Sequence, residues 1–170
     1  MSTSLRISID QPKLLQKHMM DLTDLIDLSR VIFAARATDK EQLLQDLATR
    51  AAALLNLDAQ TIVNALQLRE ELGSTGLGNG FALPHARVEG LDRFFGMFAR
   101  LKRPINFDAI DGKPVDLVFL LLVPPSPGSE HLGVLAAVAR QLRDQEFTAR
   151  LRKAASATVL CNLLCERQHS

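Results

Sequence analysis

The chain is organised around the stretch from Gly73 to Arg87, which reads GSTGLGNGFALPHAR. Four glycines fall within eight of these positions, and such clustering is typical of backbone that turns sharply or approaches another group closely. Pro84 then disfavours helical angles at Leu83, so the residues after the last glycine predict a short extended segment. This segment ends at His85.

The surroundings of His85 suit a histidine that carries a phosphoryl group. One imidazole nitrogen can take the phosphoryl group while a hydrogen bond holds the other. The hydroxyls of Ser74 and Thr75, together with loop amides, would neutralise the phosphate oxygens. The alternative is a glycine-rich turn with an incidental histidine, since short motifs often arise by chance. The remaining loop residues that we assign to phosphate binding are Gly76, Gly78, Asn79 and Gly80.

An arginine lies just before this loop, in a segment that predicts a helix. The helix is capped by Asp58 and ends near Leu72, where a glycine follows. Ile62, Leu66 and Arg69 are spaced i, i+4 and i+7, which places the guanidinium on the apolar face in the last turn. It either complements the C-terminus of the helix or donates to a phosphate.

Three segments predict β-strands. Val31–Ala35 is rich in β-branched and aromatic residues, and residues 94–101 are apolar on both alternating faces. Asp116–Val123 is the most apolar run in the chain and predicts a central, fully buried strand. Residues 102–114 between the last two strands predict a loop with a tight turn at Asp-Gly.

Four further helices complete the pattern. The sequence from Thr38 to Glu41 matches a capping box and predicts a helix with a leucine stripe. A second helix follows Ser129 as N-cap, and the last two cover residues 144–152 and 156–166. Strands interleaved with helices predict a three-layer α/β domain. The expected packing residues of the last two helices are Phe147, Leu151, Val159, Leu160, Leu163 and Leu164.

A second histidine opens the helix after the central strand. His131, Leu135, Val138 and Leu142 share one stripe, so we expect the imidazole to face inward in the first turn. It is either a core histidine bonded to backbone or a donor at the end of a buried strand, where α/β sheets commonly place their sites.

The glycine-rich string as a whole resembles the active-site signature of the IIA proteins of the bacterial phosphotransferase system. The match is to the mannitol/fructose class, and specifically to its nitrogen-related branch. It extends over roughly residues 22–166 in the expected order. Its further parts are Pro104-Ile105, residues 107–112, residues 114–117 and His131-Leu132.

This resemblance implies a fold and a chemistry. The fold would be a three-layer sandwich in which helices flank both faces of a mixed sheet of about five strands. His85 would accept phosphate from an HPr-like histidine phosphocarrier protein. Arg69 would stabilise the phosphate, and His131 would bond to the phosphate or to the acceptor ring. No metal and no cofactor are implied.

The resemblance also implies a mainly regulatory phosphotransferase component without small-molecule turnover of its own. Its targets would be proteins such as potassium transporters or sensor kinases, linked to nitrogen status. Two alternatives are a sugar-transport IIA that passes phosphate to a IIB domain and an interaction module that carries no phosphate. Because the sequence ends at residue 170 without a fused IIB domain, we expect the regulatory role.

The sequence departs from the family pattern at two positions. Ala86 stands where glycine is usual, and its methyl group would exclude a positive φ. Phe81 stands where an aliphatic side chain is usual. We expect His85 to lie in a shallow depression with an apolar rim, and the candidates for this rim are Phe81, Leu77 and Leu132.

Composition bounds the remaining possibilities. The chain has 170 residues, 47% of them hydrophobic, which suffices for one core and predicts a single domain over residues 21–167 after a disordered tail at 1–20. A net charge of +1 without a basic stripe argues against nucleic acid. No run is long enough to span a membrane and no secretory signal is present, so we expect a cytoplasmic protein. The two cysteines, Cys161 and Cys165, predict buried thiols on one helix face.

Overall fold

The structure is a computed structural model that describes residues 20, 22–126, 128 and 130–166. The predicted tail at 1–20, apart from Met20, lies outside the described residues, and so does the predicted N-cap Ser129.

One mixed β-sheet forms the centre of the domain. Its strands follow the order β1-β5-β6-β3-β2, and β4 also pairs with β6. β5 runs antiparallel to β6, whereas β1 is parallel to β5, and both β3 and β4 are parallel to β6. The apolar run thus forms the central strand, as predicted. The strands are β1 Val31–Ala35, β2 Gly76–Gly78, β3 Phe81–Ala82, β4 His85–Arg87, β5 Phe95–Ile105 and β6 Val115–Val123.

β3 and β4 occupy the same side of β6, one after the other. Ala82 is in register with Val118, and His85 is in register with Leu121. Pro84 interrupts the ladder between them but still accepts a hydrogen bond through its carbonyl, from the Leu121 N–H at 2.9 Å. His85 is therefore fixed to the best-buried strand of the sheet.

Helices cover both faces of the sheet. α2 and α3 pack on one face, and α1, α4, α5 and α6 pack on the other, each with its own cluster of buried apolar side chains. This arrangement confirms the three-layer α/β sandwich. No helix in the described part of the chain is long and apolar enough to cross a membrane. The helices are α1 Leu22–Leu25, α2 Lys40–Leu55, α3 Ala59–Glu71, α4 Glu130–Arg143, α5 Gln145–Lys153 and α6 Ala157–Cys165.

Two local predictions, about the start of α2 and the end of β5, were wrong. α2 is capped by Asp39, which accepts from the Gln42 N–H at 2.8 Å, whereas Thr38 lies one residue further out. β5 continues to Ile105, although we predicted that a loop starts at residue 102. Pro104 is tolerated there because the pairing with β6 is irregular beyond Arg100, so its missing N–H breaks no regular ladder.

Two smaller differences concern the ends of the domain. The residues shortly before β1 form the short helix α1, whose leucines are buried. This helix was not predicted. Val159 was expected in the packing of α6, but it is 41% exposed because its neighbours Leu160 and Leu163 take the inward positions.

We predict opposite stability changes for alanine at two glycines. Gly80 has φ +77°, and an added Cβ would lie 2.6 Å from an Arg152 nitrogen and 2.8 Å from an Asp116 oxygen. Gly80→Ala should therefore lower the free energy of unfolding by about 2 kcal/mol or more. Gly133 lies within α4 with nothing near its added Cβ, so Gly133→Ala should raise it by roughly 0.5–1 kcal/mol. Urea denaturation of both variants measures this, and a loss of equal size in both would contradict the account.

Candidate phosphoacceptor site

His85 is half-buried, and both of its ring nitrogens have a partner. Nδ1 lies 2.8 Å from the carbonyl oxygen of Leu83, and Nε2 lies 3.3 Å from Nε of Arg69. A carbonyl only accepts hydrogen bonds, so Nδ1 carries the proton. A guanidinium only donates, so Nε2 presents its lone pair. The neutral ring is held in one tautomer, with Nε2 as its nucleophilic atom.

The electrostatics of the site favour this neutral form. Burial lowers the pKa of His85, and the charges of Arg69 and His131 lower it further. The hydrogen bond to Leu83 and the charge of Glu70 act in the opposite direction without reversing the shift. His85 therefore stays unprotonated at neutral pH and retains a lone pair for attack.

Arg69 meets the first of the two alternatives that its sequence position left open, and donation to a phosphate stays a prediction. From the last turn of α3, its Nη1 donates to the Gly73 carbonyl at 2.9 Å, just beyond the helix C-terminus. Its Nε points at His85. The guanidinium is thus anchored at one side while the other side faces the ring, which is an arrangement suited to holding an anion next to Nε2.

His131 lies at the margin of the site. Its Nδ1 is 2.9 Å from the Gly128 carbonyl oxygen, and its charge acts on His85. The prediction that its ring faces inward is only partly met, because Val138 and Leu142 of the same stripe are buried while His131 is half-exposed. His131 does not line the pocket beside His85, and the Nδ1 contact leaves Nε2 as the ring nitrogen available to a further partner.

Ser74 and Thr75 are both present in the site, but their hydroxyls already have partners. Ser74 Oγ donates to the Phe107 carbonyl at 2.8 Å and accepts from the Gly76 N–H at 3.1 Å. Thr75 is buried, and both its hydroxyl and its N–H donate to the Glu70 carboxylate. These groups hold the loop in place, and to reach a phosphate they would first have to exchange partners.

A salt bridge fixes Glu70 in turn. Lys40 Nζ lies 2.8 Å from the Glu70 carboxylate, and the Glu70 side chain is only 7% exposed. A lysine at the start of α2 therefore anchors the end of α3 and the loop that follows it.

The glycine loop is built for close packing. An added Cβ at Gly76 would lie 2.7 Å from Cα of Ala109, so only glycine fits there. Asn79 adopts the left-handed region at φ 54°, where its N–H donates to Asp111 at 2.9 Å and its carbonyl accepts from Arg152 at 2.9 Å. The amide of Gly76 is thus bonded to Ser74 within the loop, and the amide of Asn79 is bonded to Asp111 outside it.

A pocket of about 250 Å³ opens beside His85. Arg69 and the loop form one side, and α4 forms the other. Arg143 lines it from the last turn of α4, and we did not predict this residue. The pattern that could have identified Arg143 is the spacing of His131, Leu135, Ala139 and Arg143 at intervals of four. The neighbouring stripe through Val138 and Leu142 has the same period, so spacing alone did not distinguish the two. The apolar lining consists of Leu77, Leu83, Leu135, Ala136 and Ala139.

The apolar rim differs from the prediction. Leu77 lines the pocket, and Leu132 is 63% exposed beside His131. Phe81 was expected at the rim, but it is 1% exposed because its strand turns it into the core. Two residues that we did not predict are more exposed than any of these: Leu72 at 85% and Ile110 at 86%.

The Ala86 departure does not strain the backbone. Ala86 lies in β4 and is not among the residues with positive φ, so its methyl group excludes nothing that this strand requires. Cys161 and Cys165 lie on α6 without a disulfide between them, partly rather than fully buried. Among the described residues, no group of three or more histidine, cysteine or acidic side chains is placed to hold a metal ion.

We predict that Arg69→Gln raises the pKa of His85, because the substitution removes a positive charge that disfavours the imidazolium. Arg140→Gln is the matched control, since Arg140 is exposed on α4 and does not act on His85. NMR titration of the His85 ring protons measures both. The wild-type pKa should lie below 6.5, the Arg69→Gln value should lie above the wild-type value, and an unchanged value would contradict the assigned electrostatics.

Comparison with known proteins agrees with this architecture. Residues 24–166 match the family described as phosphoenolpyruvate-dependent sugar phosphotransferase system, EIIA 2. The nitrogen regulatory protein of Bradyrhizobium diazoefficiens is 43% identical over 145 residues, covering 85% of this chain and 95% of that protein. That of Pseudomonas aeruginosa is 38% identical over 152 residues, covering 89% and 99%.

Solved structures give the same result. The crystal structure of nitrogen regulatory protein IIA-Ntr from Neisseria meningitidis superposes with a TM-score of 0.79 at 34% identity, covering 84% of this chain and 98% of that one. The chain therefore belongs to the EIIA type 2 family of the phosphoenolpyruvate-dependent phosphotransferase system, and within it resembles the nitrogen regulatory proteins.

Proposed function

We propose that this protein is a regulatory phosphocarrier whose His85 accepts a phosphoryl group from the phosphohistidine of an HPr-like donor protein. The observation that carries the proposal is the state of the His85 ring. Its proton is held on Nδ1 by the Leu83 carbonyl, so the lone pair on Nε2 faces a guanidinium at the mouth of an open pocket.

The proposed transfer needs positioning and charge compensation. Nε2 of His85 attacks the phosphorus while the bond from phosphorus to the donor's ring nitrogen breaks, and that nitrogen keeps the electron pair. Arg69 must first release Nε2, and its N–H groups then donate to the phosphoryl oxygens. The proton stays on Nδ1, hydrogen-bonded to the Leu83 carbonyl oxygen, and this oxygen stabilises the positive charge that develops on the ring.

His131 has a supporting role in this proposal. With Nδ1 directed at the Gly128 carbonyl, its Nε2 becomes a donor when the ring is protonated. A phosphoryl group on His85 would bring about two negative charges within the reach of this donor. We assign Ser74, Thr75 and the loop residues Gly76, Gly78, Asn79 and Gly80 the task of shaping the pocket, with phosphate contacts only after a change of partner.

The donor protein must dock around His85. Leu72, Ile110 and Leu132 are the exposed apolar side chains near the site: Leu72 caps α3 beyond Arg69, the Ile110 N–H donates to the Gly76 carbonyl at 3.1 Å, and Leu132 follows His131. Exposed apolar side chains around a polar centre are typical of a protein docking surface.

We further propose that the phosphorylation state of His85 controls the binding of target proteins linked to nitrogen status, with potassium transporters and sensor kinases as candidate targets. The similarity to nitrogen regulatory proteins supports this role over sugar transport. The second candidate is a sugar-specific IIA that passes its phosphate to a IIB domain, which the family description favours. A cytoplasmic location stays a prediction from the sequence.

Phosphorylation can be tested with phosphoenolpyruvate, the first phosphotransferase enzyme and its histidine carrier. The wild type should gain an acid-labile, base-stable phosphoryl group, and His85→Ala should abolish it because the nucleophile is gone. His131→Ala should slow the transfer without abolishing it. A label that survives His85→Ala would move the site elsewhere. Rapid loss of the label to a sugar-specific IIB domain would favour the transport alternative.

Arg143 should affect docking more than chemistry. It lines the pocket beside His85 from the last turn of α4, and we propose that it meets the incoming protein there rather than the transferring phosphoryl group. We expect Arg143→Ala to raise the apparent KM for the phosphorylated carrier about threefold or more, with little change in the maximal rate and a smaller effect at high salt.

Arg140→Ala is the matched control for this docking residue, because Arg140 is exposed on the same helix but does not line the pocket. Equal effects of the two substitutions would contradict a specific docking role. A loss confined to the maximal rate would place Arg143 in the transfer step.

A further inference from the structure

A second pocket, of about 380 Å³, lies away from His85. It is formed where β1 ends, where α2 begins and where β5 passes beside them. Three of its lining residues are basic, and none is acidic. The lining consists of Arg36, Ala37, Thr38, Gln42, Lys102 and Arg103.

The strand register places this basic pocket at the opposite end of the sheet from His85. His85 is level with Leu121, which pairs with Gly96 near the start of β5. Lys102 lies six residues further along β5, about 20 Å away. In the neighbouring strand, Ala35 is in register with Leu101, which brings Arg36 beside Lys102. A ligand here would not contact the phosphoacceptor site.

The three cations of the pocket have no partner within the described part of the chain. The side chains of Arg36, Lys102 and Arg103 form no ion pair and no hydrogen bond there, and all three are exposed. Other basic side chains are engaged, as when Arg152 binds Asp116 or when Arg100 donates to three carbonyls. Three uncompensated like charges around one cavity repel one another, and a bound anion would relieve this repulsion.

Local features add a side-chain donor to the same place, whereas the Asp39 carboxylate that caps α2 offsets the positive end of the helix dipole. The first turn of α2, a 16-residue helix, borders the pocket through Gln42. The Gln42 side-chain oxygen accepts from both the N–H and the hydroxyl of Thr38, which leaves its NH₂ group to donate. The register of β1 with β5 shifts between Ile32 and Ala35, where Ala34 has φ 53°, and Arg36 follows directly after this irregularity.

We propose that this basic pocket binds a small ligand with two or more adjacent phosphate groups. Two arginines and a lysine provide forked donors and a point charge, which suit several phosphates better than one. No aromatic side chain lines the pocket, so the phosphate chain is recognised and a nucleobase contributes little. This site is independent of the proposed phosphoryl transfer and would let a second ligand act on the protein.

Isothermal titration of the full chain with sodium tripolyphosphate in about 100 mM salt tests the proposal, with NMR shift mapping to locate the site. We expect one ligand per chain, a dissociation constant below about 1 mM, and shifts at residues 36–42 and 101–103. The double variant Lys102→Gln/Arg103→Gln should bind at least about tenfold more weakly. Both positions are exposed, so folding should be unaffected, and a thermal melt verifies this.

Arg69→Gln is the control that separates the two pockets, because the only described guanidinium bonded to His85 is that of Arg69. Binding that persists in Arg69→Gln and weakens in the double variant supports the proposal. Binding lost in Arg69→Gln would assign the anion to the His85 pocket and overturn it. No binding up to about 1 mM, or equal binding by the wild type and the double variant, would overturn it as well. ATP should bind about as tightly as tripolyphosphate, and a strong preference for ATP would contradict recognition of phosphates alone.

Discussion

The site depends on one hydrogen bond, between Nδ1 of His85 and the Leu83 carbonyl oxygen. This contact fixes the tautomer and the ring orientation, and it leaves the lone pair on Nε2. Burial and a nearby guanidinium then keep the ring neutral. A histidine with a free Nδ1 would divide its proton between two tautomers, and only a fraction of the rings would present the required lone pair.

The sheet makes this short-range contact reliable. Pro84 breaks the ladder between β3 and β4, but its carbonyl still accepts from the Leu121 N–H. The positions of Leu83 and His85 on either side of it are therefore fixed relative to the central strand. A chain of charged contacts supports the loop from outside. Lys40 binds Glu70, and Glu70 holds Thr75. Polar side chains from separate elements thus stabilise the loop beside His85.

The sequence predicted the features that depend on local pattern. The continuous apolar run of β6, the Asp58 cap and the extended segment before His85 each follow from residues close in the chain. It could not predict the partners of Ser74 and Thr75, because their acceptors, Phe107 and Glu70, become neighbours only through tertiary folding. Phe81 was misplaced since a two-residue strand gives no alternation from which to read its face. Arg143 was missed because two stripes of α4 share one period.

The proposed phosphate acceptor lies at one end of the sheet, and a group of cations that is unpaired among the described residues lies at the other. The central claim is that Nε2 of His85, and no other atom, takes the phosphoryl group. Proton–nitrogen and phosphorus NMR of the phosphorylated protein with ¹⁵N-labelled histidine tests this claim most directly. The account predicts phosphorus bonded to Nε2 of His85 with the Nδ1 proton retained. Phosphorus on Nδ1, or on another residue, would contradict it.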